Sequence, residues 1–436
     1  MECLRGAFVA ALMALALTAL AAEPPPISLA DIPQMHEEAA AAGLARTYDG
    51  PGDRFGDGGA AALDCDGSGF PSLFIAGGKN PAKLFVNTSS AGGPLKFEER
   101  PFDLGDPKWL EHVIGAYPLD IDGDGRMDLF VLRDGTNLLL KGGPDCTFTP
   151  ANEDWGFAGE PVLTTGFSAT WEKGQKFPTL AIGRPIEPAA PGSQQSRCEG
   201  TDIFRPGPGD RPDYSRRATR APGPCAAAMT HSNGGHSELA DFNNDSLPDL
   251  FAPSGDAASI ADFSAFAPDT LLLAQWSGQF APSGQRAGLP LNLRALGAAV
   301  IDLNLDGMLD VLTVNGDGPA TLFRNLGADD GKGGARPMGN WSEIKLMEPN
   351  PNRNAIGARL SVKTGALTQT RTLEVGGGDV SGHAGWVHVG LGVAERAEIR
   401  VQWPDGEWSA PYKVFANQFA VLDRGKTQAE YWYPGR

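Results

Sequence analysis

Asp120-Ile121-Asp122-Gly123-Asp124-Gly125-Arg126-Met127-Asp128-Leu129-Phe130 sets four carboxylates at positions one, three, five and nine of one short loop, then runs straight into apolar residues. Carboxylates two residues apart repel one another as a bare cluster. The natural neutraliser is a hard dication held by oxygen alone, and calcium is the ion this donor set favours. The stretch therefore reads as a calcium loop, with the carbonyl of Arg126 as the donor at position seven. A helix-flanked calcium loop would carry a glutamate at position twelve; none stands there, so strands are expected on both sides.

The pattern recurs along the chain. Asp241, Asn243, Asp245, the carbonyl of Leu247 and Asp249 form a second complete set, and Asp302, Asn304, Asp306, the carbonyl of Met308 and Asp310 a third. Asp64, Asp66 and Ser68 form a weakened version, with Ser72 at position nine. At Trp171-Glu172-Lys173-Gly174-Gln175-Lys176-Phe177-Pro178-Thr179 the length, the proline and the following strand persist while every ligand is replaced. That copy is expected to fold alike and bind nothing. Three strong calcium sites and one weak site are expected in all. The loops open at 64, 120, 171, 241 and 302, about 50 to 70 residues apart, which is the period of a four-stranded propeller blade with decorated loops.

The rest of the composition agrees with an all-β chain. In 436 residues there are 57 glycines and 35 prolines, which suit many short strands joined by tight turns. A net charge of −17 argues against nucleic acid or an anionic membrane as partner, because phosphate binding needs a basic surface. Residues 1–22 carry Arg5, an apolar run from Ala7 to Leu20 and a small-residue cleavage site, and read as a secretory signal. The product is expected to be secreted or periplasmic, with no membrane span after cleavage. Cys65, Cys146, Cys198 and Cys225 then remain and allow three pairings. Cys198 with Cys225, closing a proline-rich excursion, is favoured, leaving Cys65 with Cys146. Residues 23–42 read as a lead-in whose helical turn starts near His36 and which packs on the edge of the repeat region. From 184 to 230, irregular insertions are expected around one strand near Asp202–Arg205.

The loops at Asp64, Asp120, Asp241 and Asp302 resemble the FG-GAP/VCBS repeats of calcium-loop β-propellers. The resemblance covers residues 43–326 and implies metal ligation at positions one, three, five and nine and by the carbonyl at seven. Five repeats are recognisable, and the family's propellers imply up to seven blades. A glycine-rich linker is expected at 327–339, a small antiparallel β-domain with one wet face at 340–425, and a tail at 426–436. In that domain Asn354-Ala-Ile-Gly-Ala-Arg359, Gly376-Gly-Gly-Asp379, Gly390-Leu-Gly392 and Trp403-Pro-Asp-Gly406 resemble the ASPIC/UnbV domain. Together the two halves are similar to bacterial relatives of cartilage acidic protein.

Catalytic patterns are sparse. His231 and His236 are separated by glycines and read as turn residues; His383 and His388 have no cysteine or carboxylate at ligand spacing; no serine sits in a nucleophile elbow. Asn87 and Asn340 head glycosylation sequons, and Trp386 and Trp408 are the candidates for stacking on sugar. The expected function is a binding or adhesion module for a protein or glycan, not an enzyme, with calcium mainly structural. A calcium-dependent polysaccharide lyase or hydrolase, and a periplasmic accessory protein docking on a partner enzyme, are the alternatives.

Overall fold

The computed structural model describes residues 32–50, 58–184, 201–215, 237–252, 271–290, 295–316, 318–375 and 380–435, and the backbone of the strands Ile186–Glu187, Arg197–Cys198 and Arg217–Ala221. The chain is all-β. Among the described residues, its first part forms five sheets, each containing four antiparallel strands; the first, second and fifth carry one strand more, and a two-stranded hairpin stands apart. The first sheet is Ala60–Leu63, Ser72–Ile75, Lys83–Asn87 and Phe97–Arg100; the second is Val113–Leu119, Asp128–Gly135, Leu138–Gly142 and Phe148–Pro150. Gly166–Thr170, Thr179–Gly183, Thr201–Phe204 and Arg217–Ala221 make the third, and Glu238–Ala240, Asp249–Phe251, Leu271–Ala274 and Phe280–Pro282 the fourth. The fifth joins Ala295–Ile301, Asp310–Asn315 and Thr321–Asp329 to Pro33–Glu37 from the start of the chain.

In each of these five sheets an eight-residue loop joins the first strand to the second, and position nine is the first residue of that second strand. The apolar run that follows position nine is buried on both faces, as at Leu129-Phe130-Val131-Leu132, so it is continuous instead of alternating. The blank copy at Trp171 behaves in the same way, with Gly166–Thr170 paired to Thr179–Gly183.

Neighbouring sheets are tied by specific contacts. Cys65 and Cys146 form a disulfide, with Cα atoms 4.8 Å apart, that joins the first loop to the second sheet. Phe130 stacks on Phe167 at 4.0 Å between the second and third sheets. Asn325 Nδ2 donates to the Phe242 carbonyl at 3.0 Å, and Asn87 Nδ2 donates to the Leu303 carbonyl at 2.8 Å. The last two place the fifth sheet against the fourth and the first sheet against the fifth. The favoured Cys198–Cys225 pair and the His231/His236 turn lie outside the described residues.

The second part is a sandwich of two sheets. One contains Asn340–Met347, Val387–Gly392, Gln418–Asp423 and Glu430–Trp432; the other contains Arg359–Thr364, Leu367–Thr372, Arg396–Gln402 and Tyr412–Phe415. Alternation along Arg359–Thr364 turns Leu360 and Val362 inward, onto Ile344, Val389, Ile399, Val401 and Leu422.

Several sequence expectations change. The lead-in does pack on the edge of the repeat region, but as the strand Pro33–Glu37 of the fifth sheet; its single turn starts at Glu38 instead of near His36 and is closed by the Ala42 N–H on the Glu38 carbonyl. Residues 327–339 are not a linker, because Thr321–Asp329 runs into them and Ala335–Arg336 folds back on it as a hairpin. The C-terminal sheets are not wholly antiparallel: Ser342–Met347 lies parallel to Gln418–Asp423. The expected tail contributes the strand Glu430–Trp432. The stretch 184–230 carries strands on either side of Asp202 and the hairpin Ile186–Glu187 with Arg197–Cys198, instead of one strand alone.

One segment of the sandwich leaves it entirely. Gly382–Ala384 lies parallel to Ala60–Leu63, and the Ala60 N–H donates to Ser381 Oγ at 3.2 Å. Val380 is fully buried there, its carbonyl against Gly59 and Gly115, where any Cβ would collide. The first strands of the first, second and fifth sheets thus gather around a strand from the other domain.

Candidate metal loops and the cleft above them

Each aspartate loop is held by its own side chains. In the second loop Asp120 accepts from the Gly123 N–H (2.9 Å) and the Gly125 N–H (2.9 Å), Asp122 from Asp124 (3.2 Å) and Asp124 from Arg126 (2.9 Å). The fourth repeats this frame: Asp241 accepts from Asp245 (3.0 Å) and Ser246 (2.8 Å), Asn243 Oδ1 from Asp245 (3.2 Å), and Asp245 from Leu247 (2.8 Å). In the fifth, Asp302 accepts from Asp306 (3.1 Å) and Gly307 (2.7 Å), and Asp306 from Met308 (3.0 Å). The first is looser, with Asp64 on Gly67 and Gly69, Asp66 on the Ser68 N–H, and Ser68 Oγ on Phe70 at 3.3 Å. These turns require positive φ at positions four and six, met by glycine at both in the first two loops, by Asn244 and Ser246 in the fourth, and by Leu305 and Gly307 in the fifth.

Asp120, Asp122 and Asp124 bring their oxygens within 4.8 Å of one another. The ninth residue does something the spacing alone does not reveal. Asp128 accepts the Ile121 N–H at 2.7 Å on one oxygen and the Gly142 N–H at 2.8 Å on the other. Asp249 holds Phe242 and Ala274, both at 2.8 Å, and Asp310 holds Leu303 (3.0 Å) and Asn325 (2.9 Å). The position-nine carboxylate is therefore a staple between its loop and the third strand of its sheet; Ser72 Oγ does part of this by accepting from Asn87 at 3.1 Å.

Burial raises these carboxylates. It pushes Asp120 up to about 6, Asp128 to about 8 and Asp241 to about 7, with neighbouring carboxylates adding to the effect. Asp249, Asp302 and Asp310 are displaced upward for the same reason. At Asp124 burial works upward too, but hydrogen bonds from Lys141 and the Arg126 N–H outweigh it and hold the group below the usual range. A dication would relieve the crowding, and the fifth loop fits one best. Asn304 is fully buried; its Nδ2 donates to the Gly93 carbonyl (2.9 Å) and Asp306 Oδ2 (3.0 Å), while its Oδ1 accepts no hydrogen bond. An amide oxygen at position three with nothing to accept suits a calcium ligand.

All four aspartate loops touch the sandwich. Trp432 packs on Gly69, Arg353 on Gly125, and Trp341 on Gly307. Asn350 Nδ2 donates to the Gly123 carbonyl at 3.4 Å. Leu305, held at φ 57, is buried with Trp386 and Phe419. In the fourth loop, the Gly392 N–H donates to the Asn244 carbonyl at 2.9 Å, and His388 Nε2 lies 2.7 Å from Asn244 Oδ1. The other ring nitrogen of His388 is 2.7 Å from Glu343 Oε1, a carboxylate partner 45 residues away that local spacing could not show. Trp386 is buried, whereas Trp408 is 44% exposed under the Arg400 guanidinium. Asn87 is buried and both donates and accepts within the fold, so it is not available as a glycosylation site.

A cavity of about 690 Å³ lies between loops and sandwich. Arg126, Lys345, Arg353 and Arg371 line it against the more numerous carboxylates Asp64, Asp66, Asp145, Glu238, Asp241, Asp302, Glu343 and Glu374.

Comparison with known proteins agrees with this division. Residues 241–313 match the FG-GAP-like repeat family, and residues 348–429 match the ASPIC and UnbV family. No characterised protein matches by sequence. Among solved structures, an Agrocybe aegerita lectin that recognises non-reducing terminal N-acetylglucosamine is 14% identical over 63% of this chain and 68% of its own, with a TM-score of 0.24. An extracellular domain from B. thetaiotaomicron is 9% identical over 90% and 58%, with a TM-score of 0.27. The V. cholerae biofilm matrix protein Bap1 is 11% identical over 87% and 50%, with a TM-score of 0.20.

Proposed function

We propose that this chain is an exported, calcium-stabilised binding module in which a five-bladed propeller and the C-terminal sandwich hold a ligand cleft between them. The hydrogen bonds from Asn87 to the Leu303 carbonyl and from Asn325 to the Phe242 carbonyl support ring closure, with Pro33–Glu37 as the outer strand of the last blade. The Cys65–Cys146 disulfide supports an oxidising compartment. Among the described residues, no helix is long and apolar enough to cross a membrane.

The observation that carries the reading is that all four aspartate loops lie against the sandwich. Calcium in those loops would fix the surface on which the second domain sits, and so the shape of the cleft. Its mixture of guanidinium, ammonium and more numerous carboxylate groups suits a polar ligand such as a glycan, bound and released without chemical change. A glycan array probed with the intact chain in calcium and in chelator tests this, alongside a lyase assay on acidic polysaccharides. Binding that appears only with calcium supports the module. Unsaturated products would replace it with the lyase, and identical binding in chelator would remove calcium from the account.

A further inference from the structure

The second loop carries a cation of its own. Lys141, next to the Gly142 N–H that Asp128 accepts, brings Nζ against Asp122 Oδ2 and to 3.0 Å from Asp124 Oδ2. Asn87, Ala274 and Asn325 occupy the place of Gly142 in the other aspartate-loop sheets, so Val86, Leu273 and Arg324 stand where Lys141 does. The first two have no charge. Arg324 lies beside the fifth loop but hydrogen-bonds elsewhere, its Nε donating to Glu38 Oε1 at 2.9 Å and its Nη1 to the Gly93 carbonyl, which Asn304 Nδ2 also meets, at 3.4 Å.

Resting on the calcium reading above, we propose that Lys141 is a built-in counter-ion that must leave before calcium can enter the Asp120–Asp128 loop. An ammonium and a calcium ion compete for the same oxygens of Asp122 and Asp124. With Asp120, Asp122 and Asp124 ionised, one ammonium leaves net negative charge, so calcium is still drawn in when it is plentiful. The exchange is also placed to be felt. Gly143, Pro144 and Asp145 follow Lys141 directly and line the cleft, as do Gly125, Arg126 and Met127 of the loop itself. Calcium would thus act on this wall of the cleft only at concentrations high enough to displace the ammonium.

Equilibrium dialysis of the intact chain against graded free calcium tests this, with Lys141→Met, Lys141→Gln and Lys141→Arg, each alone and combined with Asp124→Ala. The charge-free variants are expected to fill one site at roughly tenfold lower calcium than wild type. Adding Asp124→Ala should abolish that site, while Lys141→Arg should titrate like wild type. Charge-free variants with wild-type curves that still lose a site on adding Asp124→Ala would overturn the proposal alone. Calcium bound by none of the proteins would overturn the calcium reading and this proposal with it.

Discussion

His388 of the sandwich lies 2.7 Å from Asn244 of the fourth loop, whose side chain, carried on backbone at positive φ, reaches across to the other domain. Asn244 Nδ2 donates to the Gly307 carbonyl at 2.8 Å, which leaves its Oδ1 to face the imidazole and links two loops to one ring. Glu343, only 2% exposed, receives the far side of that ring. His388→Ala strands a buried carboxylate and is expected to cost about 2 to 4 kcal/mol. Urea unfolding of variant and wild type measures it; a loss under half a kcal/mol would mean the linkage holds nothing.

The staple and the ligand roles separate by mutation. Asp249→Ala orphans the N–H groups of Phe242 and Ala274, both in buried backbone, at a cost of about 2 to 4 kcal/mol with or without calcium. Asp245→Ala should instead destabilise more in calcium than in chelator. Melting temperatures under both conditions distinguish the two, and equal behaviour of the variants would erase the distinction.

At the fifth loop, Asn304→Leu removes the oxygen that accepts nothing, and with it one bound calcium per chain. Native mass spectrometry in calcium counts the ions. An unchanged count would show that the oxygen is not a ligand.

Without metal, the raised carboxylates make stability depend on pH. Their folded-state values lie above those of the unfolded chain, near 3.8, so the folded protein binds more protons at intermediate pH. The stability these three groups contribute in chelator is therefore fully present below about pH 4 and is lost by about pH 8, as Asp120, Asp241 and Asp128 ionise in turn. Calcium binds the ionised forms, so its stabilisation should grow over the same interval. Melting in chelator that is flat across this range would contradict burial as the origin of the shifts.

The loops and their strands were legible because positions one, three, five and nine repeat together and the strand after them is a solid apolar run. The blank copy was legible for the same reason, since Phe177-Pro178-Thr179 and the strand after it survive without ligands. Pro33–Glu37 was not, because Pro-Gln-Met-His-Glu has little strand preference of its own and is extended only by pairing with Thr321–Asp329. The Glu343–His388 contact and the parallel pairing of Ser342–Met347 with Gln418–Asp423 are equally non-local. The inter-sheet role of Asn87 and Asn325 had a signal that went unused: each ends a Leu-Phe-x-Asn run, Leu84–Asn87 and Leu322–Asn325.

The strand Pro33–Glu37 also sets an order of events. It is among the first described residues to be synthesised, yet its partner in the fifth sheet comes near residue 324, as in the Glu38–Arg324 pair with a separation of 286 residues. Closing a loop of that length costs roughly 5 kcal/mol of chain entropy. The first sheet's strand Ala60–Leu63 likewise waits for Gly382–Ala384 on one edge. A chain crossing a membrane from its N-terminus would emerge with the late partners of both early strands still inside, so the proposed ring can only shut once nearly all of it is out, and its opening segment must stay unpaired until then.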